Sequence, residues 1–108
     1  MQQRIVGTLV GLGVACVHEQ HLRITDNFAF AEVPQATIAG MIRSAAPAAP
    51  QAIAVVCTNL DASRLGPEIE AETGITVLDS IACTLWAALD VLALPKAAYR
   101  RWGRLFDY

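Results

Sequence analysis

Cys57 is the side chain in this sequence best placed to do chemistry. It closes the apolar run Ala52-Ile53-Ala54-Val55-Val56 and is followed at once by Thr58 and Asn59. A thiol leaving a buried strand just ahead of a helix feels the positive end of the helix dipole and its unpaired amides. Those influences make thiolate available near neutrality. The N–H groups of Thr58 and Asn59 would face the same point and stabilise negative charge on a carboxylate or an enolate. Free cysteine is also among the most buried residue types, so a packing role for Cys57 stands beside the chemical one, and position alone leaves the two even.

The remaining reactive residues give weaker signals. Ser80, next to Asp79, is a further donor at a helix start or an ordinary N-cap. Cys83 lies one turn inside that helix and Cys16 in an apolar run, and both read as packing residues. Three cysteines without a CxxC or Cys/His spacing fit neither a disulfide framework nor a zinc site, and indicate a reducing compartment. His18 and His21 would point to opposite faces of a strand and lack a third ligand, so no metal site is expected.

Positioning these groups requires a parallel sheet. Residues 2–12 read as a helix closed by Gly11 and Gly13, and Val14-Ala15-Cys16-Val17 as a short buried strand. An irregular stretch to Val33 follows, with a turn at Thr25-Asp26-Asn27; long polar loops in compact domains are often functional. Pro34 opens a helix to Ala45, with Ile38, Met41 and Ile42 on one face, ended by Pro47 and Pro50. The run at 52–56 has the continuous apolar character of a strand buried on both faces. Asp61 or Ser63 would cap the next helix, which Gly74 stops. A strand at 75–78 leads into the helix opened by Asp79-Ser80, and a last helix covers 95–106. Alternating short strands and amphipathic helices predict one α/β domain over 1–108, a three-layer α/β/α arrangement on a short parallel sheet with right-handed crossovers. Ligands of open α/β sheets bind beyond the carboxyl ends of the strands, where Cys57, Thr58, Asn59 and Ser80 fall.

Three blocks carry a family resemblance. Val56-Cys57-Thr58-Asn59-Leu60 resembles the C-terminal active-site segment of maleate isomerases, and the related arylmalonate decarboxylases and aspartate/glutamate/hydantoin racemases have a cysteine at the equivalent place. Ile24-Thr25-Asp26-Asn27-Phe28-Ala29-Phe30-Ala31 resembles the loop upstream of that cysteine, and Asp79-Ser80-Ile81-Ala82-Cys83-Thr84-Leu85-Trp86 the strand-to-helix junction downstream. The blocks keep the order and approximate spacing of the superfamily over nearly the whole chain. The resemblance implies a cofactor-independent isomerase or racemase chemistry on a small carboxylic or dicarboxylic acid, with Cys57 as acid/base or nucleophile. It further implies that Asn27 binds a substrate carboxylate through its side-chain amide, that Thr58 and Asn59 add donors, and that Ser80 adds another. Phe28 and Phe30 would wall the pocket. Members of this superfamily consist of two similar α/β halves with the substrate between them. By that resemblance this chain is the C-terminal half, with the strand ahead of its first helix missing. A complementary half-domain or a homo-oligomer would have to complete the cleft. A truncated, inactive remnant and a non-catalytic carboxylate-binding module of the same fold are the competing readings.

Composition narrows the setting. An apolar fraction of 55% argues against disorder, and so small and apolar a domain can leave hydrophobic surface for a partner. A formal net charge of −2 without a basic stripe argues against nucleic acid; Arg100, Arg101 and Arg104 suit a helix C-terminus. The stretch from Arg4 to Cys16 faintly imitates a lipoprotein signal, but it is too short to span a bilayer and its single Arg makes a poor leader. The expectation is a cytoplasmic protein with no membrane association.

Overall fold

The computed structural model describes residues 2–108. Helix α1 spans Gln2–Gly11 and is closed by Gly13 at φ 86°, with Val14 N–H returning to Leu9 O, the left-handed stop that the paired glycines predict. Helix α2 spans Gln35–Ala45, strand β1 Ala52–Val55, helix α3 Gly66–Thr73, strand β2 Thr76–Asp79 and helix α4 Ser80–Val91. Short 3-10 turns occupy Phe28–Glu32, Ala46–Ala48, Ala97–Trp102 and Arg104–Asp107. The two strands pair in parallel, with Ile53 opposite Val77 and Val55 opposite Asp79. The α/β class expected from the sequence is the class observed.

Alternation along the strands decides where the core lies. Ile53 and Val77 point into a cluster with Ile38, Ala39 and Ile42 of α2, Ile69 of α3 and Leu65 just before it, so these two helices cover one face of the sheet. Arg43 of α2 ties the pair from outside, its guanidinium reaching Glu68 and Glu72 of α3. On the opposite face of β1, Ala52 and Ala54 are exposed, as is Val56 just beyond the strand. A second cluster joins Ala82 and Leu89 of α4 to Phe106, with Trp86, Tyr99 and Leu105 packed around it.

Three expectations of the local structure are corrected. Val14-Ala15-Cys16-Val17 is not a strand: it carries no regular secondary structure and Cys16 is exposed, because a strand exists only with a neighbour to complete its ladder and none lies beside it among the described residues. Neither Asp61 nor Ser63 caps α3; the helix starts at Gly66 with Pro67 in its first turn, where a fixed φ and a missing N–H are tolerated. The final helix is replaced by two 3-10 turns that break at Gly103, whose φ of 137° no helix accepts. Gly74 stops α3 in the left-handed conformation, as expected.

Candidate functional site at the carboxyl edge of the sheet

Because β1 and β2 are parallel and in register, both carboxyl ends open on one edge. Cys57 emerges there two residues past Val55 and is half-buried. Thr58 is exposed and Asn59 half-buried in the turn that follows, and neither backbone N–H is bonded to a main-chain carbonyl among the described residues. The Asn59 side chain donates from Nδ2 to the carbonyl of Asn27 at 2.9 Å. That bond draws together two of the three sequence blocks across 32 positions of chain.

Asn27 sits at the head of the 3-10 turn Phe28–Glu32, but its own side chain makes no capping bond; Asp26 Oδ1 takes the N–H of Phe28 instead, at 3.1 Å. Asn27 is exposed. Phe28 does not wall a pocket: it is 84% exposed. Phe30 is half-buried.

Ser80 lies beside the end of β1 and donates from Oγ to the carbonyl of Val55 at 3.0 Å. Its proton therefore fastens α4 to β1, leaving its oxygen as acceptor. The cap of α4 is Asp79, not Ser80: Asp79 Oδ2 accepts from Ile81 N–H at 2.9 Å and Ala82 N–H at 3.0 Å. Asp79 is 2% exposed, and its Oδ1 has no protein partner. The Cys83 thiol is pushed up from its ordinary range by burial first and by the Asp79 carboxylate second. Burial and that neighbour fit the packing role expected of Cys83. Cys16, expected in the core, is on the surface.

The helix-dipole argument for Cys57 is not met by this geometry. Helix α3 begins at Gly66, well beyond the turn that carries Cys57, and the leading amides of α4 are already taken by Asp79. What faces the thiol's edge of the sheet is the turn at Thr58 and Asn59, the Asn27 loop and the start of α4. This edge is open. Two shallow surface concavities, one along Arg4, Ile5, Thr8 and Leu9 and one beside Glu70, Arg100 and Arg104, include none of the five candidate residues.

Glu70 went unnoticed in the sequence. It is a buried carboxylate on α3 that accepts from Val77 N–H at 2.9 Å and Arg104 N–H at 2.8 Å, clamping the C-terminal segment to β2. Read alone, a Glu in an acidic helix looks like a solvated side chain; only the proximity of Gly103, which leaves room for the carboxylate, distinguishes it. Among the described residues no cluster of three metal-ligating side chains occurs, and no helix is long and apolar enough to cross a membrane.

The fold and this edge define the class first: a short parallel α/β domain with a cysteine, amide donors and a helix start gathered at the carboxyl ends of its strands. The family model for arylmalonate decarboxylase matches residues 1–106, and the chain belongs to that family, within the aspartate/glutamate/hydantoin racemase superfamily. Among solved structures it is similar to a glycine-to-cysteine mutant of arylmalonate decarboxylase in its sulfate-ion-associated form, with a TM-score of 0.80 and 26% identity. The superposition covers 99% of this chain and 47% of that one, so the chain spans about half the length of that relative. Comparison with curated protein sequences finds no match.

Proposed function

We propose that this chain is the C-terminal half of a racemase-type fold and performs cofactor-independent chemistry on a small carboxylic or dicarboxylic acid, with Cys57 as the reacting thiol. The observation that carries this reading is the Asn59–Asn27 bond, which gathers the cysteine turn and the upstream loop at the edge where ligands of parallel sheets bind. In the isomerase form of the reaction, the Cys57 thiolate adds to one carbon of a cis-dicarboxylate double bond and the π pair moves onto the neighbouring carboxylate; after rotation about the C–C bond that pair re-forms the double bond and expels the thiolate. In the racemase form, the thiolate removes the proton alpha to a carboxylate, and an acid on the complementary surface returns a proton to the opposite face. Both routes build negative charge beside that carboxylate, and the Thr58 and Asn59 N–H groups and the Asn27 amide stabilise it. Ser80 sets the floor of the site by holding α4 against β1. A complementary surface from another polypeptide closes the open edge. The three free cysteines suit a reducing, cytoplasmic setting.

The family's name favours a second form. In a malonate-type substrate the bond from the α-carbon to one carboxylate breaks, carbon dioxide leaves with its carbon and both oxygens, and the electron pair stays as an enediolate. The Cys57 thiol protonates that carbon and recovers its proton from water. One thiol suffices for this route.

The test is alkylation of the three cysteines by iodoacetamide, resolved by mass spectrometry, with and without maleate or phenylmalonate. Cys57 is expected to be shielded by the dicarboxylate while Cys16 is not. Assays with maleate, aspartate and phenylmalonate follow, and Cys57→Ser should abolish any turnover. Shielding without turnover supports the non-catalytic carboxylate-binding module. No shielding at millimolar acid, or full turnover in Cys57→Ser, sinks the assignment.

A further inference from the structure

Two surfaces of this chain lack partners that their chemistry requires. Among the described residues strand β1 pairs only with β2, so its other edge has no strand beside it. The segment 14–17 has the residues of a strand but no regular secondary structure, and from Ala15 to Phe28 no backbone N–H is bonded to a backbone carbonyl among the described residues. Unpaired strand edges are templates for another chain. In its own chain the segment is tied to the helices and not to the sheet: Glu19 accepts from Gln2 of α1 at 3.1 Å, and Gln20 bonds Ser44 of α2.

The surrounding side chains match. Val10, Leu12, Val14 and Val17 are exposed along α1 and the segment, and none of the described residues of α1 is buried. On the sheet, Ala52, Ala54 and Val56 are exposed, the last at 60%. The area makes the same point. The chain exposes 7273 Å², where a compact monomer of its mass exposes about 5,800 Å². The excess, roughly 1,400 Å², exceeds the ~800 Å² that each partner contributes to a standard interface.

We propose that a second copy of this chain covers this surface, the two copies exchanging segments so that residues 14–17 of each add as a strand to the free β1 edge of the other. A two-fold axis gives each unpaired element of both copies a strand neighbour at once, and the assembly closes at two chains. A net charge of −2 opposes the pairing only weakly. The proposal is independent of whether Cys57 reacts.

The test uses the whole chain. Sedimentation equilibrium at micromolar concentration is expected to give twice 11.6 kDa. Val17→Asp places a charge in the joint and is expected to raise the dimer dissociation constant by about a hundredfold, with an unchanged far-UV circular dichroism spectrum because Val17 is on the surface of the single chain. Val17→Thr, which keeps the β-branched shape, should keep the dimer. Hydrogen exchange supplies the second readout: the amides of 14–17 and one edge of β1 should gain protection as concentration rises. A chain that stays monomeric at a hundred micromolar, or a dimer indifferent to Val17→Asp with 14–17 exchanging freely, overturns the proposal. In the first case the surface is left to a companion polypeptide.

Discussion

Replacing Glu70 by glutamine removes one acceptor from the clamp that holds the C-terminal segment, and its cost can be worked from the geometry. Both carboxylate oxygens are engaged, Oε1 by Val77 N–H at 2.9 Å and Oε2 by Arg104 N–H at 2.8 Å. Glutamine keeps one oxygen, so one backbone donor must face an NH2 group at a distance suited only to an acceptor. Losing the charge relieves some desolvation, since Glu70 is 5% exposed. Leaving a buried donor unsatisfied costs about 1–3 kcal/mol and the lost bonds were to an ionised acceptor, so a net loss of about 2 kcal/mol is expected. For a domain of this size that lowers Tm by roughly 8–16 °C. Thermal unfolding followed by circular dichroism measures it, and hydrogen exchange locates it, since Val77 and Arg104 amides should lose protection before those of α2. The reasoning fails if Glu70→Gln unfolds within about 0.5 kcal/mol of the native chain, or if the lost protection falls elsewhere. Glu70→Ala, which strips both acceptors, should cost more than Glu70→Gln.

Further outcomes follow from other contacts. Gly103→Ala should destabilise by about 1–2 kcal/mol, measured by urea unfolding, because a non-glycine residue is strained at φ 137° and its Cβ would press 3.4 Å from Glu70 Oε2. Asp79→Ala should cost about 1–2 kcal/mol through loss of the α4 cap, whereas Asp79→Asn should cost less, since Oδ2 alone does the capping and Oδ1 has no partner to lose. Asp79→Asn should also bring the Cys83 thiol part of the way back down, as read by the pH dependence of its alkylation. Because folding raises that thiol, the unfolded chain ionises first, so native stability should fall as pH rises through the ordinary thiol range and Cys83→Ala should flatten that fall. At the acid end, the hydrogen bond from Arg43 holds the Glu72 carboxyl below its usual range, so its contribution is present above that range and lost as pH falls through it; the Tm difference between native chain and Glu72→Gln should shrink there and also in high salt.

Much of this molecule is legible in its sequence because local chemistry decides it. Gly13 and Gly74 stop helices in the left-handed conformation, which few side chains tolerate. A continuous apolar run marks β1, a short run of Ile75, Val77 and Leu78 marks β2, and the Cys57 turn falls at a strand end as the pattern requires. The misreadings are the places where a distant partner decides. Val14-Ala15-Cys16-Val17 has the residues of a strand but no ladder to join. Ser80 and Asp79 both have N-cap chemistry, and the choice between them is made by Val55, which draws the Ser80 hydroxyl across to β1. Glu70 is invisible to pattern because its two donors lie on β2 and beyond Gly103.

The open edge and the unpaired strand bear on one another. A thiol needs an environment that excludes water before nearby amides stabilise charge strongly, since the same hydrogen bond is worth far more at low dielectric than beside bulk solvent. In the single chain Cys57 has donors within reach of its edge but no cover, and neither neighbouring helix turns a free N-terminus toward it. The exposed Val56 adjoins Cys57 directly, so whatever buries the β1 face also changes the surroundings of the thiol. On the proposed reading, chemistry at Cys57 and burial of this face are therefore coupled by position: a partner that covers Val56 and Ala54 would also draw water away from the adjoining thiol, and a bare face would leave the Asn27 amide and the Thr58 turn hydrated and weaker as the charge stabilisers proposed for them.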